Sequence, residues 1–163
     1  MRPLAPDLAF GHLQLVVEFI ARSDSKIGGI AAVSIGMLGV LGTKLQMAVA
    51  SPFYWVAGTV SGVLLSICLW HCYKAYRPAL AGGTSSLIYF NSISCHAESD
   101  FLELYEKLSN DVFLREIAAQ IWRNSCIAAE KYRRVARAAT LLLLAVPFWV
   151  LALAMTIEYK PIL

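Results

Sequence analysis

Apolar residues run through this chain in three long blocks, and a fourth stretch between the second and third mixes charged and apolar residues at helical spacing. The first block starts near Ile27 and continues to Leu41, with a further apolar run to Val49 around Lys44. It is glycine-rich, with Gly28, Gly29, Gly36, Gly39 and Gly42 beside Ser34. Small residues let helices approach closely in lipid, so this block predicts an interface between spans or between subunits. The second block, 53–73, carries Tyr54 and Trp55 at one end and Trp70, Tyr73 and Tyr76 at the other. An apolar interior with aromatic borders is the pattern of a membrane-spanning helix. The third block, 138–157, contains Pro147, which predicts a kink. Helices apolar all round need lipid or a large core around them, and a bilayer is the simpler solution for a chain of 163 residues.

Before the first block, Leu8, Leu13, Val16, Val17 and Ile20 interleave with Gln14, Glu18, Arg22 and Asp24 after Pro6, with Asp7 as a cap. That spacing predicts an amphipathic helix lying on the membrane surface or on the polar part of the protein. From Glu98 to Arg137 charges recur every few positions. There Phe101, Leu104, Tyr105, Leu108, Val112, Phe113, Ile117, Ile121 and Ile127 form a stripe on one or two long helices. Ser109, Asn110 and Asp111 punctuate it as a cap or kink. A turn at Ala50 to Pro52 separates the first two spans, and Pro78 with Gly82 to Ser86 forms a loop after the second. The expected fold is an all-α membrane protein of about three transmembrane helices with a long cytosolic helical segment between the second and third. Its parts are an N-terminal amphipathic helix (1–26), a transmembrane hairpin (27–77), a cytosolic sensor segment (78–137), and a third span with a C-terminal tail (138–163).

Composition agrees with that reading, since 58% of residues are hydrophobic and only 15% charged, against about 25% charged in soluble domains. The net charge of +3 is too small to suggest a nucleic-acid polymer as partner; the placement of the cations is more informative. Arg22 and Lys26 precede the first span, Lys74 and Arg77 follow the second, and Arg123 to Arg137 precede the third, whereas Lys44 and Lys160 stand alone at the other ends. The N-terminus and residues 75–137 should therefore face the cytoplasm of a multi-pass inner-membrane protein, with the cations touching membrane lipids.

No catalytic constellation is present: the chain has no phosphate-binding glycine loop, nucleophile elbow, HExxH or CxxC, so no enzyme activity or cofactor is expected. Cys68, His71 and Cys72 share a helix but do not make up a zinc ligand set, and no metal site is expected. Glu98, Asp100, Glu103 and Glu106 read as a solvated face. Asp24 and Lys26 sit at the threshold of the first span, where charge is costly unless solvated or paired. They either snorkel to the interface or couple the polar helices to the membrane. Gln120, Asn124 and Lys131 fall at i, i+4 and i+11, with Arg123, Tyr132 and Arg133 nearby. Amides read donor and acceptor patterns and cations neutralise a phosphate, so this face suits a nucleotide; a solvated or inter-helix polar face has the same spacing.

The run Ala21, Arg22, Ser23, Asp24, Ser25, Lys26 before a glycine-rich span, then Ile88, Tyr89, Phe90, and finally Gln120, Ile121, Trp122, Arg123, Asn124 through Lys131 and Tyr132 before a last span resembles the transmembrane effectors of Pycsar anti-phage systems. The resemblance extends over about residues 14–155. It implies a bacterial defence protein that pairs with a pyrimidine cyclase, senses cyclic CMP or cyclic UMP as its activating ligand, and damages the inner membrane; the glycine-rich first span offers the surface on which a homo-oligomer would assemble. By that resemblance and by chemistry, Tyr89, Gln120, Arg123, Asn124, Lys131, Tyr132 and Arg133 are the expected ligand contacts, with Asp24 and Lys26 coupling to the membrane. Two other functions fit the residues. One is a defence effector gated by a different nucleotide messenger, and the other is a constitutive membrane adaptor or transport subunit.

Overall fold

The computed structural model describes residues 6–44, 52–77 and 86–157. Five helices appear in them: α1 (Pro6–Lys44), α2 (Pro52–Tyr76), α3 (Phe90–Ile93), α4 (Glu98–Glu106) and α5 (Asn110–Ile157). There is no strand among the described residues. The turn expected at Ala50 and Ser51, the loop at Pro78 and from Gly82 to Ser85, and the lone cation Lys160 lie outside them.

Proline opens both α1 and α2, where its missing N–H is one the helix would not use and its fixed φ already suits the first turn. Asp7, expected as a cap, instead lies inside the first turn of α1, where its charge meets the positive end of the helix dipole. The expected amphipathic helix and first span are one uninterrupted helix of 39 residues. Likewise the polar helix and the third span are a single helix, α5, of 48 residues with Pro147 inside it. Ser109 does cap α5: its Oγ accepts a hydrogen bond from the Val112 N–H at 3.4 Å.

Three of these helices, α1, α2 and α5, are long and apolar enough to cross a membrane. α2, with 25 residues, is about 37 Å long against about 30 Å of hydrocarbon. Only 17 to 28% of the most apolar window of each is buried within the protein, so most of that apolar surface faces outward, as in a helix that lipid or a neighbouring helix covers.

The chain divides into two units. The second, residues 23–77 with 131–163, contains the spans. Its interior follows a seven-residue rhythm. Along α2 the buried residues are Tyr54, Ala57, Ser61, Leu65, Cys68, Cys72 and Ala75, spaced by threes and fours. α5 offers Val135, Ala138, Ala145 and Ala152, with the half-buried Leu142 and Trp149 in register, while α1 offers Ile27, Ser34, Met37 and Leu41. This is the packing period of left-handed helix bundles. Because the contact residues are small, side chains reach across to neighbouring backbones. Tyr54 Oη donates to the Leu41 carbonyl at 3.0 Å, Trp149 Nε1 to Met37 O at 3.0 Å, and Ser61 Oγ to Ala145 O at 3.3 Å. Cys68 Sγ bonds Ala138 O at 3.2 Å and stands 3.4 Å from Ser34 Oγ.

The glycines of α1 take no part in this interior. A Cβ added at Gly28, Gly29, Gly36, Gly39 or Gly42 would meet nothing within 4 Å. The small residues that join the spans are instead serine, alanine and cysteine, and the glycine face points away from the other two helices. Of the two sequence-based readings of that face, packing between spans is therefore excluded for these glycines.

The first unit comprises residues 1–22 and 78–130. Here the N-terminal part of α1 packs on the polar part of α5: Ala9 and Val16 are buried, and the Phe10 and Phe113 rings lie 5.6 Å apart. Ile117 is fully buried. The stripe expected through both polar helices packs only along α5, because α4 buries none of its residues and leaves Leu102, Leu104 and Tyr105 exposed.

Candidate functional site

Two polar groups stand out, one in each unit. In the first unit the anchor is Ser86. Its Oγ accepts from the backbone N–H groups of Ile88 at 3.3 Å and Tyr89 at 3.2 Å, turning the chain into α3 with Tyr89 at its N-cap. The same hydroxyl donates to Glu116 Oε2 at 3.2 Å and accepts from Gln120 Nε2 at 3.1 Å, while the Leu87 N–H donates to Glu116 Oε2 at 2.9 Å. Glu116, Gln120 and Arg123 fall within an arc of about 60° on α5, so one helix face carries a carboxylate, an amide and a guanidinium in succession. Asn124 is half-buried beside them in sequence.

Around this latch three buried polar atoms have no hydrogen-bond partner among the described residues: Tyr89 Oη, Ser92 Oγ and Arg123 Nη1. Native proteins satisfy nearly all buried polar atoms, and each orphan costs about 1–3 kcal/mol. The Tyr89 ring stacks obliquely on Phe90, with centroids 4.9 Å apart. A phenol, a guanidinium and a buried amide are the donors and flat surfaces from which a site for a planar, anionic ligand is made.

In the second unit, Lys131 Nζ of α5 forms an ion pair with Asp24 of α1. The side chains are 13% and 36% exposed, which makes the pair half-sheltered. Two residues further along α1, Lys26 Nζ stands 5.5 Å over the Tyr132 ring. Both cations therefore tie α1 to α5 at the point where the first span starts, which answers how Asp24 is tolerated there. Arg133 is exposed.

The residues singled out from the sequence thus fall into two sets. Tyr89, Gln120, Arg123 and Asn124 belong to the first unit, and Asp24, Lys26, Lys131, Tyr132 and Arg133 to the second. Among the described residues no three histidine, cysteine or carboxylate side chains are grouped as metal ligands.

A sequence-family comparison covers nearly all of this architecture: the model for the Pycsar effector protein domain matches residues 8–157. The chain belongs to that family. No curated protein and no solved structure matches it. The match includes both polar groups and all three helices able to cross a membrane, which makes this Pycsar effector a membrane protein of the anti-phage defence class.

Two residues central to the first unit, Ser86 and Glu116, escape a reading of the sequence. Ser86 looks like one more loop serine, and Glu116 like one more charge on a polar helix. The available signal is that Glu116 precedes Gln120 by four and adjoins Ile117 on the inward face. Substituting Glu116 by alanine removes the acceptor for the Leu87 N–H and the Ser86 hydroxyl. Hydrogen exchange should then show the Leu87 amide of the Pycsar effector, and with the loosened Ser86 turn those of Ile88 and Tyr89, exchanging about tenfold faster or more, for about 1–3 kcal/mol of local stability. Unchanged protection there would mean that the latch does not hold the segment.

Proposed function

We propose that this Pycsar effector binds a cyclic pyrimidine mononucleotide, cyclic CMP or cyclic UMP, in its first unit and answers by impairing the bacterial inner membrane, ending the infected cell before phage matures. The observation that carries the reading is the set of buried, unpartnered polar atoms on Tyr89 and Arg123 beside the Ser86–Gln120–Glu116 network. A cyclic mononucleotide has one phosphate charge for Arg123, a base edge for the amides of Gln120 and Asn124, and a ring face for Tyr89. Lys131 and Tyr132 are engaged with Asp24 and Lys26, so their role in this proposal is to couple the polar helices to the spans, and Arg133 stays a surface cation. The protein acts by packing and charge without catalysis, on a messenger supplied by a pyrimidine cyclase.

Cations at the ends of the spans support an N-terminus and a polar segment on the cytoplasmic side. The outward glycine face of α1 supports a homo-oligomer, since small residues with open space in front of them let another helix approach closely.

The direct test is titration of the purified full-length protein in detergent with cyclic CMP, cyclic UMP, cyclic AMP and cyclic GMP, followed by dye release from liposomes. Saturable binding of a pyrimidine form at least about tenfold tighter than either purine form is expected, a difference of about 1.4 kcal/mol. Failure of both pyrimidine forms to bind would refute the sensor. Binding that releases no dye would keep the sensor and refute membrane damage, favouring an adaptor.

A further inference from the structure

Where α2 and α5 run side by side in the second unit, a groove of about 420 Å³ opens to the outside, lined by Ile67, His71, Ala136, Arg137, Thr140 and Leu141. Its walls are i, i+4 rows: Ile67 and His71 on α2, and Ala136 with Thr140 and Arg137 with Leu141 on α5. The alanine leaves the space. The Cys68 Sγ bond to Ala138 O fixes the two helices at the same height just beside it.

The groove has a polar end and an apolar end. His71 and Arg137 mark one, at the side where Trp70, Tyr73, Lys74 and Arg77 end the second span. Ile67 and Leu141 are each one turn further into the span from them. Arg137 is exposed and makes no ion pair or hydrogen bond among the described residues, and His71 Nδ1 is a buried nitrogen without a partner. Thr140 Oγ1 already donates to Ala136 O at 3.0 Å, so its hydroxyl is left as an acceptor. Lys74 Nζ is held 4.9 Å over the Trp70 ring at the same end of α2.

We propose that this groove binds one anionic phospholipid, its phosphate on Arg137 and His71 at the membrane rim and the start of an acyl chain along Ile67, Ala136 and Leu141. A free cation beside the ring of a groove-lining histidine at the interface level, continued by an apolar channel toward the membrane centre, matches the polarity of a lipid and not that of a soluble anion or a protein strand. This site is separate from the nucleotide reading and does not depend on it.

The test uses the full-length protein in detergent, with native mass spectrometry of bound phosphatidylglycerol, phosphatidylcholine of the same chains, and inorganic phosphate as competitor. Phosphatidylglycerol should be retained about tenfold more than phosphatidylcholine, because both carry the phosphodiester but the trimethylammonium of phosphatidylcholine cancels its charge and is repelled by Arg137. Arg137→Gln should bring it down to the phosphatidylcholine level, while Arg115→Gln, an exposed cation of the first unit, should leave it unchanged. Ala136→Leu, which fills the groove from an exposed position and keeps both polar groups, should weaken both lipids. It carries the test by itself if Arg137→Gln cannot be purified. Retention by either groove variant equal to wild type, an equal loss in Arg115→Gln, or displacement of the lipid by millimolar phosphate would overturn the proposal.

Discussion

Ala145→Leu should unfold the spans of this Pycsar effector at a clearly lower temperature, whereas Gly36→Leu on α1 should leave that temperature unchanged or raise it. Ala145 is fully buried between Ser61 on α2 and the Met37 and Leu41 side of α1, and its carbonyl accepts the Ser61 hydroxyl. An isobutyl group there has no space unless the helices separate, which breaks the cross-helix hydrogen bonds as well as the packing. Overpacking of this kind costs about 1–3 kcal/mol, with the lost hydrogen bond in addition. Gly36 is on the same bundle and in the same apolar setting, yet a Cβ there meets nothing within 4 Å, and leucine is the better helix former by about 0.8 kcal/mol. A thermal scan in detergent separates the two. Chemical crosslinking then reads the second consequence: Gly36→Leu should reduce the oligomer while the monomer stays folded, as expected if the glycine face joins subunits. Equal destabilisation by both substitutions would mean that the glycine face lies inside the fold.

That contrast also shows where the sequence was readable. The three apolar blocks, with the aromatic borders of the second, give the spans directly, because hydrocarbon selects on average hydropathy and length. The contacts between spans are harder to read. Serine, alanine and cysteine at positions such as Ser34, Ser61, Cys68 and Ala138 differ little in hydropathy from a lipid-facing alanine, so only the alternation of threes and fours identifies them. Glycine draws the eye to the opposite face of α1. In the polar helices the Ser109 cap is local and legible. The Ser86–Glu116 latch joins residues 30 apart, and the Asp24–Lys131 pair joins residues 107 apart. For Asp24 the cost of a charge at the head of a span signals that a partner is needed, but spacing along the chain does not say which cation supplies it.

Arg123→Ala should weaken nucleotide binding by about 10–150-fold and nucleotide-triggered dye release with it, while membrane insertion and thermal stability without nucleotide are kept or improved. The guanidinium has a buried nitrogen that nothing in the described protein satisfies, so deleting it removes a cost of about 1–3 kcal/mol in the unliganded state. In the complex the same nitrogen would meet the phosphate, and the loss of a charge-assisted hydrogen bond corresponds to about 10–150-fold in affinity. Lys131→Ala should behave in the opposite way. It strands Asp24, half-sheltered at the head of the first span, and should cost about 1–3 kcal/mol of stability, below the figure for a fully buried pair because Asp24 retains some contact with solvent. Cyclic pyrimidine affinity should change less than about threefold, yet dye release should fall to background, since a ligand moves the spans only as far as its differential affinity for the two states reaches them. Asp24→Asn in the Lys131→Ala background should restore most of the stability without restoring release. If Lys131→Ala loses as much binding as Arg123→Ala does, then Lys131 contacts the nucleotide itself and the division into a binding group and a coupling group is wrong.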